Sequence, residues 1–377
     1  MKRTISSICL AVLALICCAS QVKATNSGAR LGNKQNAINQ TTKAISNLRF
    51  DGANNFSEGL AAVRVGNKWG FVDTTRKLAI QPQFDGIVSD FSEGMALVWM
   101  TNRQGCKQGC YIDKTGKIVI NPQSQAVSNF SQGLAIVRIG NKFGYIDKTG
   151  KIAIQPVFDG AFPFSEGLAA IKVGGYNSGK WGYIDKSGKM VIKPQFDDAS
   201  NFSDGEAVAT SGASGLAGVR IGNQSGYIDK TGKMVITQVF RADTPFTEGL
   251  TPAKIGDKWG YIDKTGQMVI KPQFDMVFEF SEGLARAWVG NKLGFIDKTG
   301  QMLIKPQYTA ASKFSDGLAV VQIDNNKWGF IDKTGKLVIQ PQFDYASEFS
   351  QGLAAVLIGN KYDYIDKTGK FVEIRTN

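Results

Sequence analysis

The 377-residue chain contains no histidine. That absence removes Ser-His-Asp and Cys-His nucleophilic machinery, together with the common histidine-bearing metal sites. Cysteine is scarce: of five, Cys9, Cys17 and Cys18 fall within the first 24 residues, leaving Cys106 and Cys110 in the phrase CKQGC. One cysteine pair without histidine cannot complete a usual tetrahedral zinc site, so Cys106 and Cys110 are expected to form a disulfide. No metal ligand set and no cofactor are implied. No Gly-rich phosphate loop precedes a helix, because the body of the chain carries no helical periodicity. Long apolar runs are lacking as well. The one candidate, residues 8–18, is too short to cross a bilayer, which takes ~20 residues.

That run follows Lys2 and Arg3 and leads to Val22-Lys23-Ala24, so residues 1–24 read as a secretory signal peptide. The expected destination is extracytoplasmic: periplasm, cell surface or medium, with no transmembrane span in the mature chain. Cleavage removes Lys2, Arg3 and Lys23 and no acid, taking the formal charge from +12 to 12 − 3 = +9. A basic exported protein is suited to a protein or an anionic polysaccharide of the cell envelope, and its address argues against nucleic acid. Residues 25–47, polar and rich in Asn, read as a flexible linker.

From residue 48 to 377 one unit recurs nine times. Phe-Ser-Glu-Gly or a variant starts at Phe56, Phe91, Phe130, Phe164, Phe202, Phe246, Phe280, Phe314 and Phe349. The Asp of a Tyr-Ile-Asp-Lys-Thr-Gly phrase follows at Asp73, Asp113, Asp147, Asp185, Asp229, Asp263, Asp297, Asp332 and Asp366. From this Asp to the Gly of the next Phe-Ser-Glu-Gly is 20 residues, or 21 after Asp73, whereas from that Gly to the next Asp the spacing ranges from 14 to 24. Within a unit, GLAAVRVGNK, WGYID and KMVIKPQFD read as three short strands. Gly-Asn-Lys suits the first hairpin, and Asp-Lys-Thr-Gly suits the second, with the Asp bonding its own turn rather than doing catalysis. Proline at 82, 122, 156, 194, 272, 306 and 341 belongs at a strand end or a sheet edge.

These residues resemble the WG repeat family of bacterial proteins, also called KWG repeats, after the Lys-Trp-Gly at 68–70, 180–182, 258–260 and 327–329. Other repeats depart from it, with Gly109, Phe143, Ser225, Leu293 and Tyr362 at the Trp position and Arg76 at a turn Gly. The resemblance implies a repeat module that binds rather than catalyses, without naming a ligand. Trp69, Trp181, Trp259 and Trp328 are expected to be buried between neighbouring units. The fold expected is an all-β tandem array of nine three-stranded repeats in an open, solenoid-like stack, with propeller-like closure as the alternative. Openness is preferred because propellers typically have ~4 to 8 blades of four strands.

The candidate site follows from alternation along the first long strand. Arg64, Trp99, Arg138 and Lys172 occupy one position in successive repeats, so that stacking would align them as a basic, aromatic stripe. Loop residues Arg103, Lys107 and Tyr176, from the lengthened loops of repeats two and four, would flank it on one rim. Repeat five carries its extra residues, 206–215, before that strand and on the opposite rim. The function expected is a non-enzymatic extracytoplasmic scaffold binding an anionic envelope polymer or a protein. A structural spacer is the alternative, and a carboxylate-based hydrolase would need two acids in one cleft outside the repeated turns.

Overall fold

In a computed structural model of the chain, the described residues are 49–372 apart from 88, 101–108, 123–124, 127, 176, 204–214, 238–243 and 324–325. The expected signal peptide, the expected linker and the partner cysteine Cys106 therefore lie outside the described residues. Nine antiparallel sheets follow one another along the chain and are numbered here as blades 1 to 9. Blade 4 shows the pattern: Gly160–Ala161, Leu168–Val173, Lys180–Asp185 and Met190–Phe196 pair in that order.

The expected three-stranded unit is corrected. Among the described residues, seven of the sheets have four strands and two have three. In most blades the additional strand is a two-residue segment ahead of Phe-Ser-Glu-Gly, in blade 4 pairing Gly160 with Lys172 and Ala161 with Ile171, whereas in blade 7 it runs Met276–Ser281. Two residues are too few to show an alternation, so the pattern of the chain did not reveal it.

The open stack is also corrected, in favour of closure into a ring. In each blade the buried Tyr or Phe of the third strand meets the Phe of the next blade's Phe-Ser-Glu-Gly, as in Tyr145–Phe164 at 4.9 Å. The same pairing joins the last blade to the first, Tyr364–Phe56, also at 4.9 Å. The Tyr145 hydroxyl donates to Phe162 O at 2.8 Å, and Tyr364 donates to Asn54 O at 2.7 Å. Phe50 exchanges backbone hydrogen bonds with Tyr362. It thereby supplies blade 9 with the contact that Phe196 makes opposite Trp181 in blade 4. The residues that echo Gln-Phe-Asp before the first full repeat thus complete the last one. Closure satisfies the two exposed ends that an open array would leave as unpaired edges.

Burial differs from expectation at the Trp positions. Trp69, Trp181, Trp259 and Trp328 are half-buried. The fully buried aromatics lie two residues further on, at Phe71, Tyr183, Tyr261 and Phe330. The Trp69 and Trp181 indoles lie across their sheets toward the first strand, where Gly52 and Gly160 leave them room: a Cβ on Gly160 would stand 3.1 Å from the Trp181 ring. The Gly after Trp is required by a bulge in the third-to-fourth strand pairing, for a Cβ on Gly182 would stand 2.5 Å from Ile192 O and 2.7 Å from Pro194 N.

Candidate functional site: the hairpin end of the ring

Antiparallel order places the turns between strands one and two and between strands three and four at one end of every blade. The hairpins between strands two and three, and the links between blades, lie at the other. Three sets of repeated charges then prove architectural. The Asp after Tyr-Ile accepts from its own turn: Asp147 Oδ1 takes the Thr149 hydroxyl at 2.6 Å and the amides of Thr149 and Lys151. The Thr149 hydroxyl first, and these amides with it, hold the Asp147 carboxyl below its ordinary range.

At the same end, Ser-Glu-Gly-Leu forms a tight turn with both central residues at positive φ, Glu282 at 53° and Gly283 at 86°. A side chain tolerates that conformation here because its carboxylate is held: Glu282 accepts from Gly317 N of the next blade at 3.1 Å and pairs with Lys333 at 3.0 Å. Glu58, Glu93 and Glu248 repeat the arrangement. Gln351 of the last blade accepts from Gly59 of the first.

At the hairpin end, the Asp that follows the fourth strand bridges two hairpins in blades 3, 4, 6, 8 and 9, whereas Thr309 stands there in blade 7. Asp275 Oδ1 pairs with Lys258 of its own blade at 2.6 Å, while Oδ2 accepts from Gly290 N of the next at 2.7 Å. Lys361–Asp51 is the same bridge across the ring's closure. The Lys258 hydrogen bond, foremost, draws the Asp275 carboxyl below its usual range.

The candidate residues are what this sorting leaves at the hairpin end. Arg64, Trp99, Arg138 and Lys172 occupy matching registers of blades 1 to 4, each opposite the first-strand residue Gly52, Gly86, Gln125 or Gly160. Across the hairpin, Arg64 stands opposite Trp69 and Lys172 opposite Trp181, each cation 5.8 Å from the indole centre. Lys254 repeats this over Trp259 at 5.9 Å. Arg64 and Arg138 are exposed, Trp99 and Lys172 half-buried. Ring closure turns the expected straight stripe into an arc. Arg103, Lys107 and Tyr176 lie outside the described residues, so the structure does not join them to it. Cys110 is buried, and its pairing with Cys106 remains a proposal.

One charged group escaped the repeat-based reading. Arg286 occupies a position held elsewhere by Ala62, Ala170, Val320 or Ala355. Its guanidinium lies 4.1 Å from the Phe278 ring centre, donates to Ala311 O of blade 8 at 2.9 Å and lies 3.7 Å from Glu279. Burial first, and then Glu279, push the nearby Glu348 carboxyl up, against the pull of Lys313 and Arg286. An Arg at a position of small apolar residues was the available signal.

Comparisons with known proteins place these observations. No curated protein sequence matches the chain. Among solved structures, BamB from Moraxella catarrhalis is similar at 10% identity, with a TM-score of 0.40, over 84% of this chain and 97% of that one. Hsv2p from Kluyveromyces lactis is similar at 10% identity, with a TM-score of 0.35, over 76% of this chain and 93% of that one. The WD40 beta propeller domain of Doa1 is similar at 9% identity, with a TM-score of 0.27, over 84% of this chain and 92% of that one. A family model described as "WG containing repeat" matches residues 37–69, 69–98, 111–143, 143–176, 181–224, 226–259, 259–292, 294–328 and 328–362. With nine matches spread over most of its length, the chain belongs to the WG containing repeat family.

Proposed function

We propose that the protein is a non-enzymatic, exported scaffold whose hairpin end binds an anionic partner. The observation that carries this reading is the division of labour among the repeated charges. The turn aspartates, the Phe-Ser-Glu-Gly glutamates and the blade-closing aspartates are engaged in holding the ring together. At the hairpin end Arg64, Lys172 and Lys254 lie over indole rings, with Arg64 also donating to Asp51 O at 2.9 Å. A cation against an indole favours partners that combine negative charge with a flat or apolar surface. The signal-peptide pattern supports the extracytoplasmic setting.

Binding to immobilised dextran sulfate and to cell-envelope extract tests the proposal. The triple variant Trp99→Ala, Arg138→Gln, Lys172→Gln is expected to lose retention, with unchanged circular dichroism, and wild-type retention should weaken as salt rises. The double variant Arg138→Gln, Lys172→Gln, which leaves the half-buried Trp99 in place, should lose most of it too. Full retention by both variants would leave the spacer reading in front.

A further inference from the structure

The hairpin end is not uniform around the ring. The residue after each stripe position is aliphatic, and on five consecutive blades, 3 to 7, it is exposed: Ile139, Val173, Ile221, Ile255 and Val289 range from 41% to 52% exposure. On the remaining blades the same position is Ile323, Ile358 and Val65, all half-buried, and Met100, buried. For three of these four the preceding blade supplies the cover. Met100 packs in one cluster with Trp69, Ile358 with Trp328 and Ile323 with Trp288. Ile139 and Ile255, the most exposed, follow the blades in which Gly109 and Ser225 stand in the Trp position.

The stripe residues beside four of these aliphatics are cations: Arg138, Lys172, Arg220 and Lys254, with Trp288 on the fifth blade. Arg138 donates to the Gln125 amide oxygen at 3.0 Å and Arg220 to Gly222 O at 3.2 Å, while Lys254 faces Trp259. The neighbouring hairpin lysines Lys142, Lys180 and Lys258 are neutralised by Asp159, Asp197 and Asp275. Asp197 also feels Arg220, and Asp257 is the exposed acid at the blade 6 hairpin. Asp198, also exposed, stands opposite Arg220 in the sheet, and with it counted the balance along the arc is still positive. Single exposed aliphatics are ordinary on protein surfaces, but five in register on adjacent blades, each next in sequence to a cation or an indole, give the arc a mixed charged and apolar character.

We propose that this arc over blades 3 to 7 is a docking surface for an acidic, amphipathic protein segment, a deepening that rests on the anionic-partner reading above. Carboxylates of the partner meet Arg138, Lys172, Arg220 and Lys254, and its apolar side chains cover Ile139, Ile221 and Ile255. A polysaccharide carrying charge alone has no use for the aliphatic row, which is why a protein is the occupant chosen.

The test uses the full chain, two surface variants and three probes: a peptide alternating Glu and Leu, polyglutamate, and dextran sulfate. One variant combines Ile139→Asn, Ile221→Asn and Ile255→Asn; the other combines Arg138→Gln, Arg220→Gln and Lys254→Gln. Support is a loss of about tenfold or more in affinity for the Glu-Leu peptide in both variants, with polyglutamate binding lowered only by the charge variant. If the aliphatic variant binds the Glu-Leu peptide as wild type does while the charge variant loses dextran sulfate, the protein-segment proposal falls and the anionic-partner reading stands. If wild type binds none of the three probes, both fall.

Discussion

The contact between blades 3 and 4 and the contact between blades 9 and 1 are built from the same parts, although the first joins neighbours in sequence and the second joins the two ends of the ring. Tyr145–Phe164 and Tyr364–Phe56 have the same 4.9 Å spacing. Ser131 and Ser350 donate to the Phe carbonyl of the next blade at 2.7 Å in both. They differ in one place. In the ordinary contact, the turn Gly188 of blade 4 has φ +84° and sits against Ile154 of blade 3, where a Cβ would come within 3.3 Å. In the sequence of the last repeat, the position equivalent to Ile154 is Glu373 rather than isoleucine. Arg76 takes the Gly position instead, at φ 66°, and its Nη2 meets Asp363 Oδ1 at 3.0 Å with both side chains buried. Asp363 in turn stands where the other third strands need Gly182 or its equivalents. Two departures that look like independent decay of the repeat compensate each other.

Breaking that pair should have the largest effect. Arg76→Ala takes the counter-charge from the buried Asp363 carboxylate and should cost about 3 to 5 kcal/mol in urea or thermal unfolding. Adding Asp363→Gly should recover a large part of it. Equal losses in the single and double variants would show that Arg76 acts by packing alone. An intermediate effect is expected on the ordinary side of the comparison: Gly182→Ala forces a methyl against Ile192 O and Pro194 N and should cost roughly 1 to 3 kcal/mol. Stability equal to wild type would mean that the bulge yields freely.

The smallest effect distinguishes the two kinds of bond by pH. Asp147 and Asp275 are held below the ordinary carboxylate range, first by the Thr149 hydroxyl and by Lys258 respectively. Their folded-state values lie below the unfolded ones. Their contribution is complete above the unfolded carboxylate value of about 4 and is lost as pH falls through the folded values. The unfolding midpoint should therefore be flat from neutral pH to about 5 and decline below about 4. A midpoint that rises on acidification would contradict the role given to these carboxylates.

Much of the ring was legible without coordinates, and the limits are informative. Asp147 was read as a turn anchor because an Asx turn needs only neighbours two to four residues away, and its bonds to Thr149 and Lys151 are of that range. The shared register of Arg64, Arg138 and Lys172 followed from alternation within one strand. The role of Glu282 did not, since its partner Gly317 lies 35 residues away in another blade. Burial of Trp181 was overestimated because a strand's own pattern does not say how far the next blade covers its end.

The sequence by itself determined the nine units, their hairpins and turns, the strand faces and the family, all of which rest on local periodicity. Tertiary structure alone decided closure, the short first strand, the compensation of Arg76 by Asp363 and which aliphatic residues remain exposed on blades 3 to 7. The physical reason is range. Closure depends on bonds such as Tyr364 to Asn54, 310 residues apart, and a repeat pattern is the same whether its last unit meets water or its first.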